Sequence, residues 1–169
     1  TPQDSQVRQA GAAWGLALIN QYEPNDKTKS ALQKALRFMN DHSVTNKTGE
    51  RFIAYPGEKR GKLGTVALVL LAHLDLISAS NTTENEKKEL KKFADQYIKF
   101  LTKARQDNGH WYGSYDIKTG EPSGASSPYF DGEALLALVK AAKYHGYERF
   151  EEDILKSAHS GYLNYIVGP

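Results

Sequence analysis

Two kinds of hydrophobic pattern alternate along this chain. Residues 7–20, 63–78 and 131–144 are apolar on nearly every side of a 3.6-residue period. The first carries Ala10, Ala13, Trp14, Ala17 and Ile19. The second has no polar residue from Val66 to Ala72, and the third none from Ala134 to Val139. A helix that is apolar all round is expected to be buried all round. Residues 27–41, 84–105 and 148–166 instead confine their apolar positions to one stripe, such as Leu90, Phe93, Ala94, Tyr97, Ile98 and Leu101. Lys and Glu fill the opposite face, so these helices lie outside with one wall in the core. The pattern predicts an all-α fold of three antiparallel helical hairpins, inner then outer.

Local signals punctuate the helices. Asp26 is placed to cap the second, Thr83 and Glu86 form a capping box for the fourth, and Asp131 is placed to cap the fifth. Gly146 reads as the stop after the fifth. The turns within hairpins are short. The connections between them, residues 44–62 and 106–130, are long, and long loops on one side of a helical assembly usually carry function. Phe52 to Tyr55 and Trp111 to Tyr115 are too short to predict strands and fall inside these loops. Each offers an aromatic, a small residue and then a tyrosine, a weak internal repeat.

Composition narrows the class. The 169 residues suit one domain with an ordinary hydrophobic share of 40% and a charged share of 25%. A net charge of +2 without a basic stripe argues against nucleic acid. No stretch approaches the ~20 apolar residues of a membrane span. With no cysteine, disulfides and thiolate chemistry are excluded. The five histidines have no metal-ligand spacing, so no metal and no cofactor are expected. A start at Thr1 suggests processing, which slightly favours a bacterial envelope or secreted protein over a cytoplasmic one.

The stretches Asn108-Gly109-His110-Trp111-Tyr112-Gly113-Ser114-Tyr115-Asp116 and Ser127-Pro128-Tyr129-Phe130-Asp131-Gly132-Glu133-Ala134-Leu135 follow a long loop into an apolar inner helix. In this they resemble the α/α-toroid superfamily of six-hairpin glycosidases, polysaccharide lyases, glucuronyl C5-epimerases and terpene cyclases. The resemblance implies a ring of helical hairpins with a site at the loop end. A closed ring in that group has about five to seven hairpins. The three found here imply a partial ring, a fragment of a larger toroid, or a subunit completed by a copy of itself or a partner chain.

The loops supply the candidate chemistry. Asp131, Glu133 and Asp116 are the carboxylates expected to bind sugar hydroxyls or transfer protons. Tyr55 and Tyr115 could act as acid or base beside a cation, as the resemblance to uronate lyases suggests. Trp111, Tyr112, Tyr129 and His110 would line a glycan, and Arg51 and Lys59 would hold an acidic group. The alternative for each is structural: packing aromatics, a capping aspartate, a solvated charged loop. His73, inside the third helix, reads as a satisfied core histidine. The expected function is glycan binding or processing at the inner-helix N-termini. The alternative is a non-catalytic scaffold that assembles with itself or a partner.

Overall fold

The computed structural model describes residues 4–168. All six helical segments are present: α1 (Gln6–Tyr22), α2 (Asp26–Asp41), α3 (Leu63–Ser78), α4 (Glu84–Lys103), α5 (Pro128–His145) and α6 (Glu151–Gly161). A 3-10 turn, Glu148–Phe150, precedes α6, and a wide π-type turn, Tyr162–Val167, follows it. Each odd-numbered helix packs against the next even-numbered one. The inner helices stand side by side in the order α1, α3, α5.

Helix α3 is the centre of the core. Every residue from Leu63 to Leu76 is buried, as its unbroken apolar run predicts. Each of its buried leucines contributes about 1.5–3 kcal/mol. Its buried titratable residues, His73 and Asp75, are both paired. His73 donates Nδ1–H to Val69 O at 2.8 Å and accepts from Asn40 Nδ2 at 3.2 Å through Nε2. Burial lowers its pKa to about 4, so it is a neutral core histidine. Asp75 is bonded from both flanks. Trp14 Nε1 of α1 donates to its Oδ2 at 2.9 Å, and Lys140 of α5 pairs with its Oδ1.

Helices α1 and α5 depart from the expectation of all-round burial. Only one face of each is buried, carrying Ala10, Ala13 and Ala17 on α1 and Ala134, Ala137 and Ala141 on α5. Ile19 and Leu136 stay 53% and 40% exposed. The cause is position: among the described residues α1 and α5 are the outer members of the row, each with α3 as its one inner neighbour.

The expectation of a strictly all-α fold needs correction as well. β1 (Ser43–Thr45) pairs antiparallel with β2 (Arg51–Ile53). β3 (Arg60–Lys62), β4 (Ser114–Asp116) and β5 (Pro122–Ser123) form a second antiparallel sheet. Loop backbone groups that cannot all reach water find partners in one another. The capping box is formed: Thr83 N donates to Glu86 Oε2 at 2.7 Å, and Glu86 N to Thr83 Oγ1 at 3.3 Å. Gly146 ends α5 at φ 83°. Two caps lie elsewhere than expected. Asn25, not Asp26, accepts from Thr28 N at 2.8 Å. Helix α5 starts three residues before Asp131, so that aspartate lies in the first turn and is no cap. Among the described residues no helix is long and apolar enough to cross a membrane. Nor do three His, Asp or Glu side chains gather as a metal site there.

Candidate functional site

The long loops gather where α1, α3 and α5 begin. Gln6, buried in the first turn of α1, accepts from Lys62 N at 2.9 Å and from the Thr65 hydroxyl at 3.0 Å. Its Nε2 donates to Arg60 O at 3.2 Å. One amide side chain thus ties α1 to the start of α3. Pairing of β3 with β4 then stitches the first long loop to the second. The ring of Tyr115 lies against Gly61, where a Cβ would come within 2.0 Å of it. Only glycine admits that approach.

Both candidate tyrosines are committed to this framework. Tyr115 donates its hydroxyl to Ile53 O at 2.9 Å and accepts from Ile53 N at 3.2 Å. Burial raises its pKa far above the ordinary phenol value. Tyr55 donates to Asp4 Oδ2 at 2.8 Å, and burial, with Asp4 adding to it, pushes its pKa up to about 12. Their loop positions are not equivalent. Tyr115 lies within β4, whereas Tyr55 follows β2.

His110, Trp111 and Asp131 are brought together. Asp131 Oδ2 accepts from His110 Nδ1 and from the Tyr165 hydroxyl, both at 2.7 Å, and Oδ1 accepts from Trp111 N at 3.0 Å. His110 Nε2 accepts from Asn164 Nδ2 at 2.8 Å, so the proton sits on Nδ1. Trp111 is buried and donates Nε1–H to Leu101 O at 2.9 Å. This cluster fastens the second loop and the π-type turn onto α5. Beside it a largely apolar cleft of about 400 Å³ opens between α5 and α6, lined by Leu135, Ala158, Tyr162 and Ile166.

Three other candidates stand apart. Asp116 is exposed in a turn, where the Thr119 and Lys118 amides at 2.9 and 2.8 Å lower its pKa. Arg51 donates to Gln96 Oε1 at 2.7 Å and to Ser43 Oγ, with its guanidinium 4.9 Å from the Phe93 ring centre. Lys59 is exposed just before β3. The carboxylates Asp116, Asp131 and Glu133 therefore do not converge as a trio.

Glu133 is the free one. Its Oε2 is buried without a hydrogen-bond partner among the described residues, and burial raises its pKa to about 7. It faces the start of α3, where a Cβ on Gly64 would fall 2.3 Å from Oε2 and 2.5 Å from the Phe130 ring. Tyr129, four residues earlier and therefore on the same helical face, is 79% exposed. Tyr112, in the neighbouring loop, is 37% exposed. Below this rim run Gly64, Leu68, Leu71 and Asp75, one stripe of α3. It lies opposite His73, which touches Phe93 and Tyr97 of α4. Trp14 and Lys140 reach across it to Asp75. The sequence reading missed this bridge. Its signal was the one carboxylate in a mostly apolar helix.

No protein-family model and no curated relative matches the sequence. Solved structures do match the fold. A GH76 alpha-mannanase of Bacteroides thetaiotaomicron superposes at TM-score 0.76 with 11% identity, over 95% of this chain and 44% of that one. An inactive variant of the alpha-1,6-mannanase GH76A of Salegentibacter sp. HEL1_6, in complex with alpha-1,6-mannotetrose, gives 0.74 with 14% identity, over 92% and 46%. A family 105 glycoside hydrolase of C. acetobutylicum ATCC 824 gives 0.71 with 16% identity, over 94% and 48%. The chain has the α/α-toroid fold and spans less than half the length of these neighbours. The second neighbour was inactivated by replacing two consecutive aspartates, and no two aspartates adjoin in this sequence.

Proposed function

We propose that this chain is a carbohydrate-binding portion of an α/α toroid that holds a glycan at the N-terminal rim of α3 and α5. The observation that carries the reading is Glu133. A carboxyl group with a pKa near 7 is present at neutral pH as both acid and base, so it can donate to one sugar hydroxyl and accept from another. Its buried, unpartnered oxygen is a polar group that a ligand hydroxyl would satisfy. Tyr129 on the same face, with Tyr112 nearby, offers aromatic surface for stacking on a sugar ring. The glycosidase neighbours favour a sugar over an apolar terpenoid ligand, as does a carboxyl at the rim.

Glycoside cleavage needs two carboxyl groups flanking the bond. Glu133 is suited to the proton-donating part. Asp131, its neighbour on α5, is engaged by three donors. Binding is therefore the reading we adopt for the chain by itself. The test is a glycan array that includes α-1,6-linked manno-oligosaccharides, run beside a polysaccharide-cleavage panel. Binding is expected, weakened about tenfold in Glu133→Gln through loss of one charge-assisted hydrogen bond, and weakened again in Tyr129→Ala. A blank array together with a blank cleavage panel overturns the proposal.

A further inference from the structure

The turn after α6 is held on one protonation state of a buried histidine. The carbonyl oxygen of Ser160 can only accept, so the group facing it at 2.9 Å is the amide nitrogen Nδ2 of Asn164. The same nitrogen lies 2.8 Å from His110 Nε2, and it can only donate. Nε2 is therefore an acceptor. The ring's one proton is left on Nδ1, bonded to Asp131 Oδ2 at 2.7 Å. Tyr165 ties the turn to the same Asp131 oxygen, also at 2.7 Å.

A second proton on His110 breaks this pattern. Nε2 then carries a hydrogen and faces the two hydrogens of the Asn164 amide. Turning the amide over does not repair the contact. Oδ1 would accept from Nε2–H, but it would also stand against the Ser160 oxygen, acceptor against acceptor. Protonation thus costs the turn at least one hydrogen bond, whichever way Asn164 points. Asp131 acts in the opposite sense, because its carboxylate on Nδ1–H stabilises a charged ring. His110 and Asp131 are both buried. The imidazolium has a partner on α5 and a conflict on the turn, so the cost of protonation falls on the turn. The other titratable group on the turn is Tyr165. Burial, with Asp131 adding to it, raises its phenol, which stays protonated. On α6, Asp153 is taken by Arg105 at 2.9 Å, and Lys156 and His159 are exposed. In the loop, Asp107 is exposed.

We propose that the turn Tyr162–Val167 is a proton-operated latch on the α5–α6 cleft, closed on neutral His110 and released when the ring gains a proton. Tyr162, Tyr165 and Ile166 form one wall of that cleft, and Leu135 of α5 lies in the other. Both walls are loosely packed. A Cβ added to Gly132 would meet nothing within 4 Å. One added to Gly161, where α6 passes into the turn, would meet only the Tyr165 ring, at 3.9 Å. Release of Asn164 therefore lets the turn move away from α5 without first breaking a packed contact at that joint, and the cleft widens.

Amide exchange tests the latch without any glycan, so its failure is distinguishable from failure of the carbohydrate reading. Protection of residues 162–167, taken relative to the unfolded rate at each pH, is compared at pH 8 and pH 5.5, with α3 as the standard for global stability. Wild-type protection of the turn is expected to fall about fivefold relative to α3 at the lower pH, the effect of one lost hydrogen bond. Asn164→Ala removes the contact and is expected to give the same low protection at both pH values. Asn164→Asp supplies a carboxylate that accepts from Nε2–H, so its turn is expected to be better protected at pH 5.5 than at pH 8. Circular dichroism checks that both variants fold. Nitrogen chemical shifts of the His110 ring at pH 8 are expected to place the proton on Nδ1. Glu133 titrates in the same range but is present in all three proteins, so an effect of its own survives Asn164→Ala. A wild-type turn indifferent to pH, a dependence that survives Asn164→Ala, an aspartate variant that keeps the wild-type sign, or a ring protonated on Nε2 at pH 8 overturns the latch.

Discussion

Titration of Glu133 gives the sharpest check on the rim. Its carboxyl titrates near 4.5 in the unfolded chain and at about 7 in the native one. Below pH 4.5 it is neutral in both states and costs nothing. As pH rises towards 7, the unfolded state ionises first and gains stability. Native stability is therefore lost across that window and stays reduced above it. Full burial would make the loss about 3 kcal/mol. Glu133 is only partly buried, so solvent screening reduces this to roughly 1–2 kcal/mol. Other groups also titrate here, so the informative quantity is the difference from Glu133→Gln, which cannot ionise. Urea unfolding, followed by fluorescence of Trp14 and Trp111, is run on both proteins at pH 4.5 and pH 8. The glutamine variant is expected to gain about 1–2 kcal/mol on the wild type between the two conditions. A gap that stays within about 0.5 kcal/mol at both pH values would mean that the carboxyl is solvated or paired, and the rim reading would lose its support.

Three further outcomes follow from the packing. Gly61→Ala drives a methyl into the Tyr115 ring at 2.0 Å and is expected to cost more than about 2 kcal/mol in urea unfolding; a change below about 0.5 kcal/mol would contradict the contact. Lys140→Met strands the buried Asp75 charge and is expected to cost about 3 kcal/mol, with most of it recovered in the double variant Lys140→Met/Asp75→Leu. Thermal unfolding of the single and double variants reads this directly, and an unrecovered double variant counts against a charge-burial cause. Asp131→Asn leaves a single acceptor oxygen for the three donors His110, Trp111 N and Tyr165 and turns an NH2 group towards at least one of them. Amide exchange across Tyr162–Val167 is expected to quicken at least tenfold while α3 stays protected; unchanged exchange would place the anchor elsewhere.

Much of the fold was legible because it rests on long periodic segments. The all-apolar run in α3 announced a central helix, and the Thr83–Glu86 box and Gly146 marked ends that the structure keeps. The strands were hidden because two or three residues are too few to show an alternation, and β3 finds its partner β4 more than 50 residues away. The site was harder to read. Asp131 and Glu133 sit two residues apart in one helix, about 200° apart around its axis. One points to His110 and Trp111 and is consumed, whereas the other points to Gly64 and stays free. No composition or spacing rule separates them, since the difference lies in which neighbour each faces. Tyr55 and Tyr115 looked interchangeable for the same reason.

The strand pairing between the two long loops has a consequence for recognition. With β3 bonded to β4 and Gln6 pinning the start of α3, neither loop can swing like a flap without breaking the other. The entropy of ordering this surface is spent during folding, before any ligand arrives. A ligand at this rim would then meet a backbone already fixed in place, and selectivity would come from its shape and not from adaptation.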